Sequence, residues 1–81
     1  MARRAAVVTI SDSDRTLIEK WVHARTTPRR LHLRARIVLL AAQGVPPGQI
    51  ARRLGTTRPT VDLWRKRFRA GGLAAIQHDA P

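Results

Sequence analysis

The side chains able to do chemistry in this chain are mostly arginines, and they crowd one stretch. Arg52, Arg53, Arg58, Lys66, Arg67 and Arg69 follow one another with Thr57, Pro59, Thr60 and a single carboxylate, Asp62, among them. A guanidinium presents a planar fork of donors that matches phosphate oxygens and the O6/N7 edge of guanine. A threonine adds a short hydroxyl for a phosphate and a methyl for thymine. This set is suited to holding a polyanion and not to bond-breaking.

Carboxylate chemistry has little to work with. The five acidic residues include Asp12, Asp14 and Glu19, which belong to a helix start and its solvent face. Two-metal hydrolysis needs carboxylates converging on one pocket, so an enzyme active site is not expected. His23, His32 and His78 stand apart with no pair at ligand spacing, so no metal or other cofactor is expected, and all three read as surface residues. With no cysteine, disulfides and thiolate sites are excluded.

Sixteen basic residues against five acidic give a net charge of +11 in 81 residues. Codon bias can explain why fourteen of the sixteen are Arg, but not the excess itself. Residues 25–69 hold twelve basic residues and one acidic, whereas residues 1–24 hold four and three. A partner rich in phosphate, nucleic acid ahead of a membrane surface, is the natural inference. The longest apolar run, Ile37 to Ala42, is six residues, far short of a bilayer span. The start, MARRAAVVTI, is faintly like a signal peptide, but its apolar part is too short and SDSD stands where a small-residue cleavage site should be. The expectation is a cytoplasmic, nucleoid-associated protein with no membrane contact and no small-molecule ligand.

Four helices are needed to position these residues, and no strand is convincing. Residues 1–10 are assigned to a flexible arm; the alternatives are Val7, Val8 and Ile10 tucking against the domain, or Arg3 and Arg4 reaching a minor groove. Ser11 should cap the first helix, with Leu17, Ile18, Trp21 and Val22 on one stripe and an end near Arg25. Thr27 should cap the second, with Pro28 in its first position. Its apolar residues form two sides, Leu31, Ala35, Val38 and Ala42 against Leu33, Ile37 and Leu40. That pattern marks a central helix or, alternatively, a homodimer interface. Arg29, Arg30, Arg34 and Arg36 open it and extend the basic track. Gly44 should close it in a left-handed cap.

Pro47 should open a short third helix that stops at Gly55, and Thr57 should cap a fourth with Pro59 in its first turn. The fourth turns Val61, Trp64 and Phe68 inward, ends at Gly71 and Gly72, and leaves Leu73, Ala75 and Ile76 for one further turn onto the core. Ala51 and Gly55 then have a shared reason. Two steeply crossing helices need a small residue at their closest approach and a residue tolerant of positive φ in the turn. Ile50, Leu54, Val61 and Trp64 fill the wedge. The domain, residues 11–76, is therefore read as an all-α, four-helix bundle containing a helix-turn-helix, with 77–81 a tail or linker.

In that arrangement Thr57, Arg58, Pro59, Thr60, Asp62, Lys66, Arg67 and Arg69, with Arg52 and Arg53 across the backbone, form the candidate surface for double-stranded DNA. Arg58, in the first turn, is the leading base contact, for guanine. Lys66, Arg67 and Arg69 should clamp phosphates. Asp62 either accepts from cytosine or pairs with Arg58 or Lys66; the pair is favoured. Leu63 either touches thymine methyls or is merely exposed.

The segments LRARIVLLAAQG, QIARRLG and TV-x-x-W-x-x-RF followed by GGL closely resemble the N-terminal DNA-binding region of bacterial insertion-sequence transposases of the Tc/mariner superfamily. The likeness runs from about residue 10 to 80. It implies a homeodomain-like domain that recognises terminal inverted repeats, followed in that family by a second DNA-binding subdomain and an RNase-H-like catalytic domain, neither of them in these residues. Departures from the family pattern are Pro46 at a capping Ser position, Thr56 at an aliphatic one, and Asp62 and Leu63 at basic or polar ones. The alternatives are a stand-alone transcription regulator on an operator and a basic module for an acidic protein. RNA is disfavoured because Trp21, Trp64 and Phe68 all read as core.

Overall fold

The computed structural model describes residues 8–78. Four helices follow in order: α1 (Asp12–His23), α2 (Arg29–Ala42), α3 (Pro47–Leu54) and α4 (Arg58–Gln77). There is no strand among the described residues. The chain is all-α, as its periodicities require.

Two helices begin at a hydroxyl cap and two at a proline. Ser11 caps α1 by accepting from the Asp14 N–H at 3.1 Å, and Asp12 and Asp14 sit at the positive end of the helix dipole. Thr57 caps α4 by accepting from the Thr60 N–H at 3.4 Å. At α2 the expected cap shifts by one residue. Pro28, not Thr27, is the N-cap; its extended backbone (ψ 145°) keeps it outside the helix, and its carbonyl accepts from the His32 N–H. Pro46 caps α3 without a side-chain bond, and Pro47 fills the first position, where no N–H is required.

Glycines close α2 and α3 and break α4. After α2, Gly44 adopts φ 87°, the Gly44 N–H donates to Ala41 O and the Val45 N–H to Leu40 O. This crossed pair closes the carbonyl end of the helix. Gly72 (φ 66°, ψ −151°) interrupts α4, in a conformation open essentially to glycine alone. The chain beyond it makes the expected extra turn and seats Ile76 fully in the core.

α2 is the central element and packs on each of the other three helices, which takes up both of its apolar sides. Ala35, Ile37, Val38 and Ala41 are buried there, Ala41 in the place expected of Ala42. Ile18 from α1, Ile50 and Ala51 from α3, and Val61, Trp64 and Phe68 from α4 complete the core. Leu17 is a correction: it lies on the exposed edge of α1, so that stripe is narrower than its sequence suggests. The arm also needs correcting at its inner end. Residues 1–7, with Arg3, Arg4 and Val7, lie outside the described residues, but Val8 is only 1% exposed and Ile10 packs against the core. A fully apolar side chain beside an incomplete core gains more by burial than the free chain gains in entropy.

His32 is also not a plain surface residue. Its Nε2–H donates to Val22 O at 3.0 Å, satisfying a carbonyl in the last turn of α1 and tying α2 to it.

Candidate nucleic-acid interface

The wedge between α3 and α4 is built as the small-residue argument requires. Gly55 takes up the left-handed conformation (φ 67°, ψ 34°). The Gly55 and Thr56 N–H groups both donate to Ala51 O, so the turn is hydrogen-bonded onto the helix it leaves. Three residues then separate the helices, and Ile50, Ala51, Val61 and Trp64 are buried between and behind them.

That packing fixes which arc of α4 faces outward. Thr57, Arg58, Pro59, Asp62, Leu63, Lys66 and Arg69 are exposed, with Thr60 half-buried beside them. Arg52 and Arg53 are exposed on α3. The hydroxyls of Thr57 and Thr60 share a 2.9 Å hydrogen bond across the first turn of α4, which carries Arg58.

Asp62 settles into an intramolecular ion pair. Its Oδ2 lies 3.8 Å from Arg58 Nε, one turn earlier. Its Oδ1 lies 3.7 Å from Arg65 Nη1, so the second partner is Arg65 and not Lys66. Both separations are those of ion pairs rather than hydrogen bonds.

Two arginines fall outside the expected scheme. Arg34 belongs by sequence to the basic track of α2, yet it is only 8% exposed. Its guanidinium carbon lies 3.9 Å from the Trp64 ring centroid, and its Nη1 donates to Ile76 O at 3.2 Å. It is committed to holding α2, α4 and the last turn together. Arg65 is buried as well. Both signals were present in the helical period: Arg65 follows Val61 by four and precedes Phe68 by three, and Arg34 precedes Val38 by four. A long side chain can bury its stem on an apolar arc while its charged end finds a partner. Arg67 is intermediate, half-buried with its guanidinium 4.8 Å from the same indole centroid. Arg29, Arg30 and Arg36 remain exposed.

No group of three or more His or acidic side chains among the described residues could hold a metal ion. No helix among them is long and apolar enough to cross a membrane.

Three helices on one core, two of them joined by a glycine turn and presenting a basic outer arc, define the helix-turn-helix class of DNA-binding domain. A family model described as a homeodomain-like domain matches residues 28–77, which covers α2, α3 and α4 whole, and the chain belongs to that family. No curated protein and no solved structure matches the chain.

Proposed function

We propose that this chain reads double-stranded DNA in a sequence-dependent way, and that its target is the terminal inverted repeat of a mobile element, bound as the N-terminal module of a transposase. The observation that carries DNA reading is the first turn of α4. It is capped and exposed, it follows the glycine turn of a homeodomain-like domain, and it holds Arg58 outward. In this class the second helix of the motif enters the major groove with its N-terminal residues at the base edges. Lys66 and Arg69 continue the basic arc toward one phosphate strand, and Arg52 and Arg53 toward the other. Arg67 contributes to the phosphate contacts from its place over the indole. The more particular target is supported by the resemblance of LRARIVLLAAQG, QIARRLG and TVDLWRKRF to transposase N-terminal regions. In this role the chain supplies recognition and leaves strand chemistry to another domain.

The test is selection from a random duplex library, followed by fluorescence-anisotropy titration of the selected duplex and a scrambled control across salt. With about six phosphate contacts, log K should fall with log salt at a slope near −5. The selected class should bind at least ~1000-fold tighter than the control. Enrichment of element ends carries the transposon reading. Enrichment of promoter sites, with a dimer in solution, moves the protein to the regulator class. Uniform binding that vanishes at moderate salt leaves only an electrostatic surface and overturns sequence reading by this chain.

A further inference from the structure

Arg58, Asp62 and Arg65 follow one another along α4 at intervals of four and three residues, which places them on one line down the helix. Exposure falls along that line: the Arg58 side chain is 69% exposed, Asp62 50% and Arg65 11%. The carboxylate stands between the two guanidinium groups and offers one oxygen to each. We propose that Asp62 and Arg65 are positioning residues for Arg58, setting its guanidinium for one base and so determining sequence preference. This rests on the DNA-reading role proposed above for α4.

The chemistry lies in which nitrogen is engaged. Asp62 meets Arg58 at Nε. The two terminal nitrogens remain as an end-on fork, the geometry that spans O6 and N7 of a guanine. A solvent-exposed carboxylate alone would hold an arginine poorly, because both side chains lose rotamer freedom for a screened attraction. Arg65 changes that balance. Its buried stem gives its Nη1 a fixed position, and the positive charge there restricts the Asp62 carboxylate, which in turn restricts Arg58. Ordering the fork before binding removes a cost from the bound state. It also places a negative charge where it penalises bases that do not present two acceptors to the fork, since a displaced Arg58 leaves Asp62 facing the DNA less neutralised. A carboxylate on a DNA-facing helix is otherwise a liability against phosphate.

The experiment uses the whole chain, its selected duplex and that duplex with each base pair of the recognised core changed in turn. Discrimination is the ratio of the affinities. Arg58→Ala should abolish discrimination at one guanine. Asp62→Asn, nearly isosteric, should reduce discrimination at that same guanine by about fivefold to tenfold, a coupling of the size seen within one ion-pair network. It should leave affinity for scrambled DNA equal or higher, because a negative charge has gone. Arg65→Gln should act like Asp62→Asn at that base pair, and Arg65→Lys, which keeps the charge beside Asp62, should restore most of the loss. In the Arg58→Ala background, Asp62→Asn should change discrimination no further. Melting of each variant is followed by circular dichroism; if Arg65→Gln fails to fold, Asp62→Asn and its double variant with Arg58→Ala decide the matter.

Three results overturn the inference. Asp62→Asn can raise affinity for every sequence equally, which makes Asp62 a repulsive charge and nothing more. Its effect can persist without Arg58, or fall on a cytosine, which makes Asp62 a direct reader. Arg58→Ala can leave discrimination intact, and then the base-reading role assigned to Arg58 fails and the positioning role fails with it. The first two leave Arg58 as the reader, so failure of the relay is distinguishable from failure of the reading beneath it.

Discussion

α2 and α4 are both arginine-rich amphipathic helices, and by composition they are hard to tell apart. α2 carries Arg29, Arg30, Arg34 and Arg36 near its start; α4 carries Arg58, Arg65, Arg67 and Arg69 with Lys66. Their positions in the fold separate them. α2 lies between the other three helices, so the arginine whose register points inward, Arg34, is drawn onto the face of the Trp64 ring and bonded to Ile76 O. α4 has one face on the core and one open, and its first turn projects from the glycine turn with Arg58 in solvent. The same side chain therefore acts as a clamp in one helix and as a candidate reader in the other. Net charge says that a polyanion is the partner. Burial says which charges are left to meet it.

That contrast can be broken most forcefully at the residue where the two helices meet. Trp64 is nearly buried, fills the α3–α4 wedge and lies under two guanidinium groups. Trp64→Ala should cost about 3–5 kcal/mol, most of the stability of a domain this small, and chemical denaturation should show little cooperative transition. A well-folded, cooperative variant would refute the inward register of α4. Arg34→Ala comes next. It removes a hydrogen bond from a charged donor to Ile76 O, worth about 1.5–3 kcal/mol, and the stacking on Trp64. Stability should fall by that amount, with faster amide exchange in residues 73–77. A variant as stable as the parent but weaker on DNA would return Arg34 to the phosphate track.

On the other side of the comparison, Arg58→Ala should leave the melt unchanged and cost about 1–3 kcal/mol on the selected duplex, with little change on scrambled DNA. Equal losses on both duplexes would make Arg58 a phosphate contact. The smallest effect belongs to Lys66→Ala, an exposed charge on the same arc. It should alter stability by no more than about 0.5 kcal/mol and reduce the salt slope by about 1, without altering sequence preference. An unchanged slope would take Lys66 off the phosphate-facing arc.

Much of the fold was legible before any coordinates. Ser11 and Thr57 as caps, Gly44 and Gly55 as left-handed stops, Pro47 as an opening residue and Gly72 as a break are local matters, governed by φ, ψ and the N–H groups of one turn. The same holds for Val61, Trp64 and Phe68, whose spacing declares an inner face. The differences have two physical causes, one local and one of packing. Thr27 lost the cap at α2 to Pro28 by a single residue, a difference set by backbone direction out of the loop. His32 and Arg34 look like surface residues because they are polar, but each reaches a partner that only packing brings near: Val22 O for His32, and Ile76 O with the Trp64 ring for Arg34. Val8 shows the converse, an apolar residue in a basic leader that finds a place in the core.

The sequence by itself determined four helices, their breaks, the apolar wedge and a strongly basic character, because each depends on neighbours within about two turns of chain. Only the tertiary structure decided which arginines are spent inside the protein and which remain outside. Arg34 and Ile76 are 42 residues apart in the chain, and their contact exists only once α2 and the last turn of α4 share a core. The helical period places Arg34 and Arg65 on apolar arcs, but what each arc meets, and so which charged ends find partners inside, depends on which surfaces pack together.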